Sequence, residues 1–157
     1  MRIQTLTVIV ASILALATLP AYADGDPIVG TWKVNSSKSK FDPPVSNNGP
    51  GGGSAKIEEA GDGYKITNIA PDGTVGAAYT VPTVDGKDYP LGNGAENTTS
   101  YIRIDSNNLI SFNKKNGDVV RMQRMKVLED GKTMEVDRIG FNQETGTAFH
   151  QVVIYER

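Results

Sequence analysis

Ile28-Val29-Gly30-Thr31-Trp32-Lys33-Val34-Asn35 decides how the rest of the chain is read. A strand's period of two puts Ile28, Gly30, Trp32 and Val34 on one face and Val29, Thr31 and Lys33 on the other. Trp32 is the only tryptophan in the chain. An indole carries a large apolar area, and its N–H needs an acceptor once it is buried. Gly30, on the same face, leaves room for the ring to lie down or for a neighbouring backbone to approach. The segment is therefore expected to be a first strand and the floor of the core.

Upstream, Met1-Arg2 is a short positive start and Ile3 to Leu19 is mostly apolar. Ala21-Tyr22-Ala23 supplies a small-x-small cleavage pattern, which predicts a signal peptide over 1–23 cut between Ala23 and Asp24. The strongly apolar part, Leu6 to Leu19, is shorter than the ~20 residues of a spanning helix, so no stable membrane anchor is expected. The chain has no cysteine, hence no disulfide framework and no thiol to acylate. A periplasmic or secreted location fits these features. Removal of residues 1–23 leaves 134 of the 157 residues, which reads as one domain over 24–157, large enough to fold without staples. Arg2 goes with the leader, leaving 15 basic against 18 acidic side chains with no basic run. That distribution argues against nucleic acid or anionic lipid as a partner.

Downstream, Asp42 to Gly53 holds three prolines and four glycines in twelve residues and predicts a long loop. It is either a tolerated insertion or a lid over a cavity mouth. From Ser54 onward short alternating segments are separated by Gly61-Asp62-Gly63, Pro71-Asp72-Gly73, Asp85-Gly86, Leu91-Gly92-Asn93-Gly94, Ser106-Asn107-Asn108 and Asp130-Gly131. Asn116-Gly117 is the strongest hairpin signal. A last strand is expected over Thr147 to Tyr155. After the leader no apolar face of period 3.6 is long enough for a major helix. The pattern predicts an all-β fold: a single antiparallel up-and-down β-barrel of about 8–10 strands, closed to remove its edges, with an open sandwich as the alternative.

Gly30-Thr31-Trp32 resembles the Gly-x-Trp signature of lipocalins, and Val153-Ile154-Tyr155-Glu156-Arg157 resembles the last strand of the fatty-acid-binding barrels. Together GTWKVN, KSKF, DGKDYP, DGKTM and VVIYE resemble a group of secreted bacterial lipocalin-like proteins of unassigned function, over nearly all of 24–157. The resemblance implies a barrel with an interior site for a small apolar ligand. It departs in two places. The Pro/Gly loop stands where the fatty-acid binders carry a helical lid, and their Arg-x-Tyr on the last strand reads Val153-Ile154-Tyr155, matching only the Tyr.

Catalytic constellations are hard to assemble. His150 is the single histidine, no Gly-x-Ser-x-Gly elbow is present, and His150 reads as a half-exposed strand residue. Neither zinc nor calcium ligand spacing occurs; the aspartates beside turns are explained by turn chemistry. Glu58 and Glu59, adjacent on a strand, face opposite sides and cannot serve one glycosidic bond. Gly51-Gly52-Gly53 lacks the Lys-Ser/Thr and the helix of a phosphate loop. No enzyme, metal or cofactor is expected.

Placing the more apolar face inward gives Trp32, Val34, Ile57, Tyr64, Ile66, Val75, Ala77, Tyr79, Ile102, Ile104, Ile110, Phe112, Met134 and Val136 as interior. Arg138 shares the Met134 and Val136 face. A buried arginine is costly unless paired. It sits at a rim, braces Trp32 by stacking, or anchors a carboxylate at the base of an apolar pocket with help from Tyr155. One of Arg121 and Arg124 also points inward, and the pattern does not choose between them. The candidate ligand-binding residues are Trp32, Tyr64, Tyr79, Phe112, Arg138 and Tyr155. The expected function is that of a monomeric carrier of a small hydrophobic molecule. Two rivals remain: a protein-binding module such as a periplasmic protease inhibitor, and a barrel filled by its own side chains. An empty interior of ~300 Å³ or more favours the carrier.

Overall fold

The computed structural model describes residues 25–44, 53–91 and 94–157. The leader over 1–23 with its cleavage site, and the middle of the Pro/Gly loop, 45–52, lie outside the described residues. Eleven strands form one antiparallel sheet: β1 (Gly30–Val34), β2 (Lys40–Asp42), β3 (Ser54–Ala60), β4 (Gly63–Ile69), β5 (Tyr79–Val81), β6 (Tyr89–Leu91), β7 (Gly94–Asp105), β8 (Asn108–Lys115), β9 (Asp118–Val127), β10 (Thr133–Phe141) and β11 (Ala148–Glu156). The order is β5-β4-β3-β1-β11-β10-β9-β8-β7-β6, so β3 to β5 and β6 to β11 pair with their sequence neighbours, β1 pairs with β3, and β1–β11 joins the two halves. β1 pairs with β11 at Tyr155 and Glu156, and β2 pairs with β11 from His150 to Val152. They share one lane, which leaves ten lanes in a nearly closed barrel. β5 and β6, at the ends of the ladder, come alongside each other without pairing.

Turn chemistry sets the hairpins. Asn116 (φ 52°) and Gly117 (φ 88°) form the two-residue connection between Lys115 and Asp118, a turn with positive φ at both central positions. At Gly63 the chain crosses so close to β5 that a Cβ would lie 2.0 Å from the Val81 carbonyl oxygen. The glycine there is a steric requirement.

One end of the barrel is solid. Trp32, Ile28, Leu109, Met134, Val81, Val127 and Val153 are all fully buried and pack in one cluster. Trp32 Nε1 donates to the Ile28 carbonyl at 2.9 Å, which satisfies the indole. The Arg157 guanidinium carbon stands 4.4 Å from the indole centroid, with Nη1 donating to Val29 O at 2.8 Å and Nε to Gly131 O at 2.8 Å. A Cβ on Gly30 would sit 3.0 Å from Arg157 Nη1, so the room left by Gly30 is taken by this guanidinium. The brace of Trp32 is Arg157 and not Arg138. Asp26, Tyr64 and Arg103 close the same end: Tyr64 donates to Asp26, and Arg103 bonds both.

Three expectations for the interior are corrected. The strand expected from Thr74 onward shrinks to Tyr79–Val81, and Val75 is 65% exposed with Ala77 also exposed. On β7 the inward residues are Thr99, Tyr101 and Arg103, while Ile102 and Ile104 face out. On β8 Leu109 and Ser111 point in, so Ile110 and Phe112 lie on the outer face. The cause is common to both strands: their inward positions include polar residues, Thr99 and Arg103 on β7 and Ser111 on β8, so the more apolar face is not the inner one.

Candidate ligand-binding site

Above the packed floor the interior opens into a cavity of about 480 Å³. Inward positions of five strands build it: Val34 from β1, Tyr79 from β5, Arg121 and Gln123 from β9, Arg138 from β10 and Tyr155 from β11. Its mouth is edged by Gly53 and Ser54 at the start of β3, by Asn68 and Ile69 at the end of β4, and by Ala70, Pro71, Thr74 and Gly76 on the β4–β5 connection. A second cavity of about 250 Å³, with Leu91, Val120, Phe141 and Phe149 in its wall, shares Arg121 with the first.

Antiparallel register explains how the arginines converge. Val127 opposite Met134 and Met125 opposite Val136 fix the inward parity at the floor. Two residues further along, Gln123 faces Arg138, and then Arg121 faces Gly140. No side chain fits at Gly140, where a Cβ would lie 2.4 Å from the Val120 carbonyl oxygen. Arg138 Nε donates to Gln151 Oε1 at 2.8 Å across the β10–β11 pair, which aims the guanidinium while leaving it uncompensated. Arg121 Nε is buried and has no hydrogen-bond partner. Among the described residues neither arginine forms an ion pair.

Tyr79 and Tyr101 meet hydroxyl to hydroxyl at 3.2 Å. Burial pushes the Tyr79, Tyr101 and Tyr155 phenols above their ordinary value of 10.0, so they are neutral donors and not counter-ions. Burial also lowers the Arg138 guanidinium from its ordinary pKa, with Tyr155 opposing that shift and the Arg121 charge adding to it. The chamber thus presents cations and hydroxyl donors above an apolar floor. Such an arrangement can hold an anionic head group. Among the described residues no cluster of three or more His, Cys, Asp or Glu could hold a metal. His150 is exposed on the outer wall with Nε2 2.8 Å from Asp137 Oδ1.

Of the six candidates read from the sequence, the structure brings Tyr79, Arg138 and Tyr155 together on the cavity wall. Trp32 lies in the floor and Tyr64 in the trio that closes that end; neither lines the cavity. Phe112 pairs with Met122 on the outer surface. Gln123 and Gln151 were not identified from the sequence, and Arg121 was left undecided against Arg124. On β9 the signal was the parity of Val127 and Met125 carried back along the strand, which selects Gln123 and Arg121 over Arg124. Arg124 instead donates to Asn108 Oδ1 from Nε and Nη2.

No protein-family model and no curated protein matches the sequence. Solved structures do. The chain resembles a fatty acid transporter, REP1-NXSQ, with a TM-score of 0.55 and 18% identity over 85% of this chain and 99% of that one. A zebrafish ileal bile acid-binding protein complexed with cholic acid gives 0.55 and 11%, over 83% and 98%. A secretory abundant heat soluble protein from Ramazzottius varieornatus gives 0.57 and 13%, over 85% and 97%. At these identities the likeness shows the fold: a barrel of the lipocalin and fatty-acid-binding type.

Proposed function

We propose that the protein is an exported carrier or binder of a small hydrophobic molecule with an anionic head. The observation that carries this is the cavity of about 480 Å³ with Arg121, Arg138 and Tyr155 in its wall and no carboxylate paired to either arginine among the described residues. The volume lies within the range of small-molecule sites. The transporter and the bile acid-binding protein of the same fold are named for apolar acids, which supports the ligand class. Export, to the periplasm or the exterior, rests on the leader and the Ala21-Tyr22-Ala23 pattern.

Native mass spectrometry of the exported protein, incubated with an excess of mixed fatty acids, reads both parts. The expected spectrum shows a chain beginning at Asp24 and carrying one acid per molecule. A chain that stays bare in excess acid contradicts the binding role, and one that still begins at Met1 contradicts the processing.

A further inference from the structure

The outer wall of the barrel carries apolar side chains that the described residues leave uncovered. On β9 and β10, Met122 and Ile139 are cross-strand partners, 38% and 47% exposed. Phe112 on β8 stands opposite Met122, and Ile110 lies two residues along the same face. On β7, Ile102 stands opposite Ile110 and is 41% exposed. Single exposed apolar side chains are ordinary on a surface, but a contiguous group over four strands marks a docking face. We propose that this face joins two copies of the chain in a symmetric dimer, with the twofold axis running along the seam between β9 and β10. The proposal goes beyond the carrier reading and does not depend on it.

The charges beside the patch select the occupant. Arg124 and Asp137 are cross-strand partners on this face, and so are Lys126 and Glu135. Opposite charges at such positions ordinarily pair. Among the described residues neither couple forms an ion pair. Arg124 turns to Asn108 Oδ1 through Nε and Nη2, while Asp137 Oδ1 lies 2.8 Å from His150 Nε2. An anionic lipid surface would favour basic side chains around the patch. Here two acids match two bases. In an isologous contact residue i meets residue j, and j meets i. An axis along the β9–β10 seam therefore lays β9 of one copy on β10 of the other. Arg124 then faces Asp137 of the second copy, Lys126 faces Glu135 of the second copy, and Met122 faces Ile139 of the second copy, each contact being made twice. One strand further out, Ile110 meets Val152 of the second copy, since both stand in the row of Arg124 and Asp137. The register that aligns these residues within one chain is the register that matches them between two.

Sedimentation velocity of the exported chain across the micromolar range tests this. The parent should pass from one to two chains per particle as concentration rises. Met122→Lys should leave it single, because the new charge would be pressed against an apolar side chain. Arg124→Glu and Asp137→Arg each set like charges face to face twice and should weaken the dimer by on the order of a hundredfold. Mixing these two single variants should restore two chains per particle, because every facing pair is again of opposite sign. No change within one chain, such as the donors that Arg124→Glu takes from Asn108, produces that rescue. A parent that stays single at every concentration overturns the dimer, and its flotation with phosphatidylcholine vesicles would give the face to lipid instead. A dimer that survives Met122→Lys and both charge reversals overturns this interface as well.

Discussion

Gly30, Trp32 and Arg157 form one device. The glycine leaves a slot, the indole forms one wall of it, and the guanidinium fills it while bonding the carbonyls of Val29 and Gly131. Trp32→Ala should cost about 3–5 kcal/mol, the usual loss for a large core aromatic. Arg157→Ala should cost about 1–3 kcal/mol, from a cation–π contact and two charge-assisted hydrogen bonds. Urea melts that leave either variant as stable as the parent contradict this packing. Arg138→Met, in contrast, removes an unpaired buried charge and should melt no lower than the parent. Trp32 was legible in the sequence because its size and its strand parity are local. Its partner was not: Arg157 reaches it only when the last strand comes back beside the first. Nothing near Trp32 in the chain announces that pairing.

Strand existence was the most readable feature, and strand parity the least. Gly, Asn and Asp turns marked the hairpins, and the Asn116-Gly117 turn falls where its signal placed it. β2 was missed because three residues carry too short a pattern. β7 and β8 were read with the wrong faces inward. Ile102 and Ile104 form an apolar outer stripe on β7, while Thr99 and Ser111 are fully buried on the inner side. The rule that the apolar face turns inward assumes an apolar interior. This barrel keeps one only at its floor. Paired substitutions separate the two parities. Leu109→Ala should cost about 2–5 kcal/mol as a cavity in the core, and Ile104→Thr should stay within about 0.5 kcal/mol. The reverse ranking in thermal melts would return the isoleucines to the interior.

The molecule as a whole divides along its axis. Ile28, Trp32, Val81, Leu109, Val127 and Met134 fill one end, and the trio of Asp26, Tyr64 and Arg103 ties the incoming chain across it. The other end holds the two arginines, the Tyr79 hydroxyl and Tyr155 around open space. The packed half supplies the stability that lets the hollow half keep unpaired cations, a cost that pairing with an anion would recover. Arg138 illustrates how far the sequence went: its inward face was readable, but the brace of Trp32 was removed from its possible roles only by finding Arg157 there. Calorimetry on the purified protein, comparing a fatty acid with its methyl ester, is the most direct measurement. The acid should bind with a clear preference that Arg138→Met removes, because only the acid forms the charge-assisted pair. Equal binding of acid and ester by the parent protein would contradict an anion-binding chamber.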